Sequence, residues 1–210
     1  MKKLLILPFL FLALFVNAQA NYQTALTDAL TKMKTANTAE EMQSVANQCS
    51  RIVSAEPKEW LPNYYAAYTN ITLTFLLKDD DQRDQVLDKA QTFLDRALKL
   101  QPKESELYVL QGYLHQARLV VSPMMRGMKY SGLASTALEK AKTLNPNNPR
   151  VYFLLGQNAF NTPKMFGGGT DVAKPILAKA KEKYATQKPA NALLPNWGES
   201  RALALLAKCN

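Results

Sequence analysis

The chain has 210 residues, of which 47% are hydrophobic and 20% charged, and its 26 Lys and Arg against 17 Asp and Glu give a formal charge of +9. This length suits one domain with a substantial core or one short solenoid. A single histidine and two cysteines exclude the usual metal-ligand sets, and lysines scattered along the chain argue for a solvated basic surface rather than a nucleic-acid site.

Residues 1–20 open with Lys2 and Lys3, continue as an apolar run from Leu4 to Val16 and close on Ala18-Gln19-Ala20. This pattern is that of a cleavable secretory signal peptide, and the run is shorter than the ~20 residues of a spanning helix. It predicts export with no stable membrane span after cleavage. The product is expected to be periplasmic; secretion, or anchoring by an uncleaved N-terminal helix, is the alternative.

The rest, 21–210, reads as one helical-repeat domain, with no period-two segment and no hairpin signal. Apolar spacing and caps predict helices at Tyr22 to Thr35, Thr38 to Ala55, Glu59 to Leu77, Asp81 to Leu100 and Glu104 to Val120, then Tyr130 to Leu144, Pro149 to Asn161, Thr170 to Tyr184 and Gly198 to Cys209. Thr38 and Glu41 form a capping-box pattern. Pro57, Pro102 and Pro146 each fall just past a helix end, where the ladder has no further need of an N–H. Cys49 sits among apolar residues at helical spacing and Cys209 lies in the last helix, so a linear stack would keep them too far apart to bridge. Both are expected as free thiols.

The prolines expose a repeat. At the same three offsets before each stand Val45, Cys49 and Ile52, then Ala90, Leu94 and Ala97, then Ala134, Leu138 and Ala141, and a fourth copy without the proline keeps Ala173, Leu177 and Ala180. After Pro102 come Tyr108 and Gly112, and at equal offsets after Pro146 come Tyr152 and Gly156. Helices approach closely only where one presents Gly or Ala to a facing knob. These residues resemble the tetratricopeptide (TPR) family. The resemblance implies an all-α, right-handed superhelix of antiparallel helix pairs, with units near 22–57, 58–102, 103–146 and 147–185 and a cap at 197–209. The spacing departs from the family's 34-residue unit, since Pro57 to Pro102 is 45 residues and Pro102 to Pro146 is 44. The added residues fall between the two helices of a unit, so the intra-repeat connections are expected to be lengthened along one edge.

In TPR-like proteins the first helix of each pair lines a concave groove. Carried over, the resemblance places Tyr64, Tyr68, Val109, Tyr113, Gln116, Phe153, Gln157 and Phe160 there, a surface suited to a protein or peptide partner; the same spacing also serves a core. The insertion edge is a second candidate. Met124, Met125, Met128, Met165 and Phe166 would form a soft apolar rim, or simply cap the end of the stack. Gly167-Gly168-Gly169 reads as a tight turn into a helix capped by Thr170 or Asp171, rather than as an anion nest. His115, inside a helix, has no Cys or Ser partner at a catalytic spacing. Trp197 is expected to anchor the terminal helix to the last pair as the cap a repeat stack needs. The expectation is a binding protein, with no catalytic residues, cofactor or metal, that holds a protein or peptide in its groove; the alternative is a ligand-capturing component of a solute transport system.

Overall fold

A computed structural model describes residues 22–209. The signal-peptide expectation therefore lies outside the described residues. Among those described there are nine α-helices, one short 3-10 turn and no strand: α1 (22–35), α2 (Ala39–Ala55), α3 (Trp60–Thr74), α4 (Asp80–Leu100), α5 (Ser105–Val121), α6 (Pro123–Leu144), α7 (Pro149–Asn161), the 3-10 turn (Lys164–Phe166), α8 (Thr170–Thr186) and α9 (Glu199–Ala207). Consecutive helices pack as pairs, α3 on α4, α5 on α6 and α7 on α8. The first helices also touch one another, α3 with α5 and α5 with α7. The second helices have no comparable contact, so the row bends toward α3, α5 and α7 into a superhelix.

Local chemistry sets the boundaries. The Thr38 hydroxyl accepts from Glu41 N at 3.2 Å while a Glu41 carboxylate oxygen accepts from Thr38 N at 3.1 Å, the reciprocal box that closes two orphan donors of α2. Asp79 caps α4 by accepting from Gln82 N at 2.8 Å. The tyrosine six residues after each of two prolines has a plain role: Tyr108 Oη donates to Pro102 O at 2.9 Å and Tyr152 Oη to Pro146 O at 2.8 Å. Each ring thus ties the start of a first helix to the turn that precedes it.

The small residues do the packing work the repeat requires. A Cβ placed on Gly112 would stand 2.6 Å from Leu138 Cγ, and one on Gly156 would stand 2.6 Å from Leu177 Cγ. Leu138 and Leu177 are fully buried, as are their flanking alanines Ala134, Ala141, Ala173 and Ala180. Leucine knob and glycine hole therefore repeat from one pair to the next.

Three features differ from the sequence reading. Helix α6 begins at Pro123 rather than near Tyr130, so the inserted Pro123–Met128 stretch is helix, joined to α5 by Ser122 alone. Proline at N1 suits a helix start because its missing N–H had no partner there anyway. Helix α3 ends at Thr74 and not at Leu77. The cap of α8 is Gly169 at φ 106°, with no side-chain cap bond; a Cβ on neighbouring Gly168 would lie 2.1 Å from Thr162 O, so this turn needs glycine for close backbone approach. Cys49 and Cys209 are both free.

Replacing Gly156 by Leu is expected to overpack the α7–α8 crossing and lower unfolding free energy by roughly 1–3 kcal/mol, read as a drop in urea midpoint. An unchanged midpoint would mean the crossing is looser than its 2.6 Å approach indicates.

Candidate functional site

The concave face is not open. Residues 187–198 run back across it from the end of α8, and α9 follows against α8 and α7. Trp197 lies with its ring 5.0 Å from Tyr68 and 5.5 Å from Tyr113, and its Nε1 donates to Tyr64 Oη at 2.7 Å. Leu193 O accepts from Tyr65 Oη at 2.7 Å. The Trp197 carbonyl accepts from Tyr184 Oη at 3.1 Å and Arg150 Nη1 at 3.4 Å. Arg201 of α9 donates to Tyr113 Oη at 3.0 Å and sits 5.1 Å from the Phe153 ring and 5.7 Å from Trp197, a cation–π arrangement in a residue that still meets solvent.

This strap seals most of the expected groove. Tyr64, Tyr68, Val109, Tyr113, Gln116 and Phe153 are buried, while Gln157 and Phe160 are half-buried. The amides are also engaged internally, because Gln116 Nε2 donates to Leu154 O at 2.8 Å and Gln157 Nε2 to Gln116 Oε1 at 3.2 Å. Trp197 anchors the terminal segment to more than the last pair: its ring packs on α3 and α5 and lies 5.9 Å from the Arg150 guanidinium of α7, and its carbonyl is held by Arg150 and Tyr184. The sequence reading missed Arg201 and Arg150, since neither a lone arginine in a capping helix nor one near a helix start carries a periodic signal. Gly198, at φ 104°, permits the turn into α9.

Beneath the strap lies a buried ion pair. Arg150 donates from Nη2 to Glu106 Oε1 at 2.6 Å and from Nε to Glu106 Oε2 at 2.9 Å, and Asn148 Nδ2 donates to Glu106 Oε1 at 2.7 Å. Burial pushes the Glu106 carboxyl above its usual range, and the guanidinium opposes that shift. With its carboxylate and guanidinium satisfied by each other, the pair locks α5 to α7 and carries the strap's Trp197 carbonyl.

Apolar surface is most exposed at the start of α6 and on the 3-10 turn. Met124 is 99% exposed, Met125 86%, Met128 85%, Met165 83% and Phe166 62%. The three α6 methionines stand on a turn pinned by Arg126, whose Nη1 and Nη2 each meet an Asp84 carboxylate oxygen of α4 at 2.7 Å. At helical periodicity, Met124 and Met128 continue the α6 stripe of Ser131, Ser135, Glu139 and Lys142. That stripe forms one wall of a cleft of about 510 Å³, whose other walls come from Tyr152, Leu155 and Asn158 of α7, Phe166 of the 3-10 turn, and Ile176 and Lys179 of α8. Lys179 lies 6.0 Å from the Tyr152 ring, and Lys142 pairs with Glu139 at 3.1 Å. Phe166 thus joins the α6 stripe across one cleft, while Met124, Met125, Met128 and Met165 remain outside its lining.

His115 has a structural environment. Its Nε2 is 3.1 Å from Gln111 Nε2, its Nδ1 is buried with no partner, and its ring is 5.9 Å from Tyr130. Burial and nearby Arg118 push its pKa down to about 4. Among the described residues no group of three His, Cys, Asp or Glu is placed to hold a metal ion, and no helix is long and apolar enough to cross a membrane.

No protein-family model matches the sequence, and no curated protein matches it. Among solved structures, the chain is similar to the HusA haemophore from Porphyromonas gingivalis, with 33% identity over 90% of this chain and 92% of that one and a TM-score of 0.80. It is also similar in fold to a thermophilic TPR protein from Thermus thermophilus, with 17% identity, 93% and 96% coverage and a TM-score of 0.55.

Two outcomes follow from this geometry. Trp197→Ala is expected to destabilise the protein by about 2–3 kcal/mol, less than a fully buried aromatic truncation, and to speed proteolysis within 187–198; an unchanged urea midpoint together with unchanged protease resistance would show that the ring does not anchor the strap. A histidine whose pKa falls on folding contributes stability above its unfolded value and loses it as pH drops toward the folded one. Relative to His115→Gln, the wild-type protein should therefore lose stability between pH 6.5 and about 4, measured as a fall in its melting temperature relative to that of the variant.

Proposed function

Because this chain belongs to the same family as the HusA haemophore, we propose that it is an exported, non-catalytic capture protein for a planar, apolar, acid-bearing ligand of the haem type. The capture surface in this reading is the outer cleft with its apolar rim, rather than the concave face. The observation that carries it is the contrast between the two faces: the concave aromatics are occupied by Trp197 and Arg201, while Phe166 and the α6 methionines stand in solvent beside a formed cleft.

The chemistry of the cleft suits such a ligand. Its volume, about 510 Å³, falls within the roughly 300–1,000 Å³ of small-molecule sites. Leu155, Ala159 and Ile176 offer an apolar floor, Phe166 offers a ring face at the edge, and Lys142 and Lys179 stand where carboxylates of the ligand would meet positive charge. The thioether side chains of Met124, Met125, Met128 and Met165 are flexible and polarizable, and they can wrap a flat apolar body of variable shape. Export is supported by the leader pattern of residues 1–20, and a binding role by the kind of protein to which the chain is similar.

Haem titrated into the purified protein and followed by absorbance tests this. The paired substitution Phe166→Ala with Met128→Ser is expected to weaken binding by at least tenfold, about 1.4 kcal/mol, while Tyr113→Phe on the concave side leaves it unchanged. The reverse pattern would move the ligand to the concave face, and absence of binding by the wild-type protein would end this reading.

A further inference from the structure

Four of the chain's seven methionines are almost fully solvated. Methionine ordinarily fills irregular gaps in a core, as Met42 does here, and packing gives Met124, Met125 and Met128 no reason to be methionine. All three lie within the first two turns of α6. Met124 and Met128 are spaced i,i+4 and Met125 and Met128 i,i+3, and both spacings place side chains as neighbours on a helix surface. At 3.6 residues per turn the three fall within an arc of about 100°. Ala134, Leu138 and Ala141, the buried face of the same helix, fall on an arc centred about 120° away around the helix. A Cβ added at intervening Gly127 meets nothing within 4 Å, so the turn is open to a ligand. Of the neighbouring cations, Arg126 is committed to Asp84 and Lys129 lies over the Tyr130 ring at 5.4 Å.

We propose that Met124, Met125 and Met128 form a thioether site for a soft monovalent cation, Cu(I). Thioether sulfur is a soft, uncharged donor that suits Cu(I) and leaves hard cations such as Mg²⁺ and Ca²⁺ unbound. Three such donors on one helical turn supply a ligand set without a charged residue, and each long, three-rotor side chain can bring its sulfur over the shared Met128. Because thioethers carry no proton to displace, the site holds its ion at acidic pH, where imidazole and thiol sites release theirs. Leucine in place of methionine keeps the apolar surface and removes the sulfur.

The test uses Ag(I) as a redox-inert probe on full-length protein labelled at the methionine methyl carbons, read by NMR. Cys209 is partly exposed and its thiol would compete, so a Cys209→Ser variant is measured in parallel; Cys49 is buried, with its thiol pushed up to about 12 by desolvation. One equivalent of Ag(I) is expected to shift the Met124, Met125 and Met128 methyl signals in Cys209→Ser, and a second equivalent to shift them in the wild type once the thiol is filled, at pH 5 as at pH 7, leaving buried Met42 unmoved. Met124→Leu with Met128→Leu should abolish these shifts while the urea unfolding midpoint is unaltered. No shift at Met124 or Met128, shifts that vanish in Cys209→Ser, or retention of the ion by the double leucine variant would each overturn the site.

Discussion

The architecture depends on how near two helices can come at Gly112 and Gly156. With no Cβ on either, Leu138 and Leu177 fill the space to contact distance, and each pair locks at one crossing. Interdigitation of this kind fixes both the separation and the angle of the helices. Repetition along the chain then draws the first helices together and leaves the second helices apart, which is what gives the row a concave and an outer side.

Curvature creates an aromatic inner face, and that face would be a large exposed apolar patch if nothing covered it. The chain covers it with its own C-terminal segment. Trp197 joins the rings of Tyr68 and Tyr113, and Arg201 fills the space between Tyr113 and Phe153. Under it, the Arg150–Glu106 pair is acceptable in a buried position because both ions are hydrogen-bonded and Asn148 joins them. The strap therefore works as a bound segment supplied by the chain itself, and its hydrogen bonds reach from α3 to α8.

Sealing the inner face leaves the outer side as the place where apolar groups meet water. Helix α6 extends about three turns before its first buried residue, Ala134, and the methionines sit on that extension, held in place by the fork between Arg126 and Asp84. The 3-10 turn that carries Met165 and Phe166 is shaped by Gly167 at φ 82° and Gly169 at φ 106°. Two elements that are far apart in sequence thus border one cleft, with lysines from α6 and α8 along its walls.

The helix content, the pairing and the knob-and-hole positions were legible in the sequence because they depend on residues close together in the chain: the proline punctuation, the alanines at fixed offsets, and Gly112 and Gly156. The capping box of Thr38 and Glu41 was legible for the same reason. The start of α6 was not, since Pro123, two methionines and Gly127 look like a loop unless the tight Ser122 junction is known. The fate of the groove was less legible still. Tyr64, Tyr68 and Tyr113 have the spacing of a concave surface, and nothing local says whether such a surface faces solvent or Trp197, more than 80 residues away in sequence. Local sequence determined the helices and the crossings that bend the stack, because short-range sterics and capping decide them. Only tertiary structure decided which face stays open, because that is settled by a contact between the two ends of the fold.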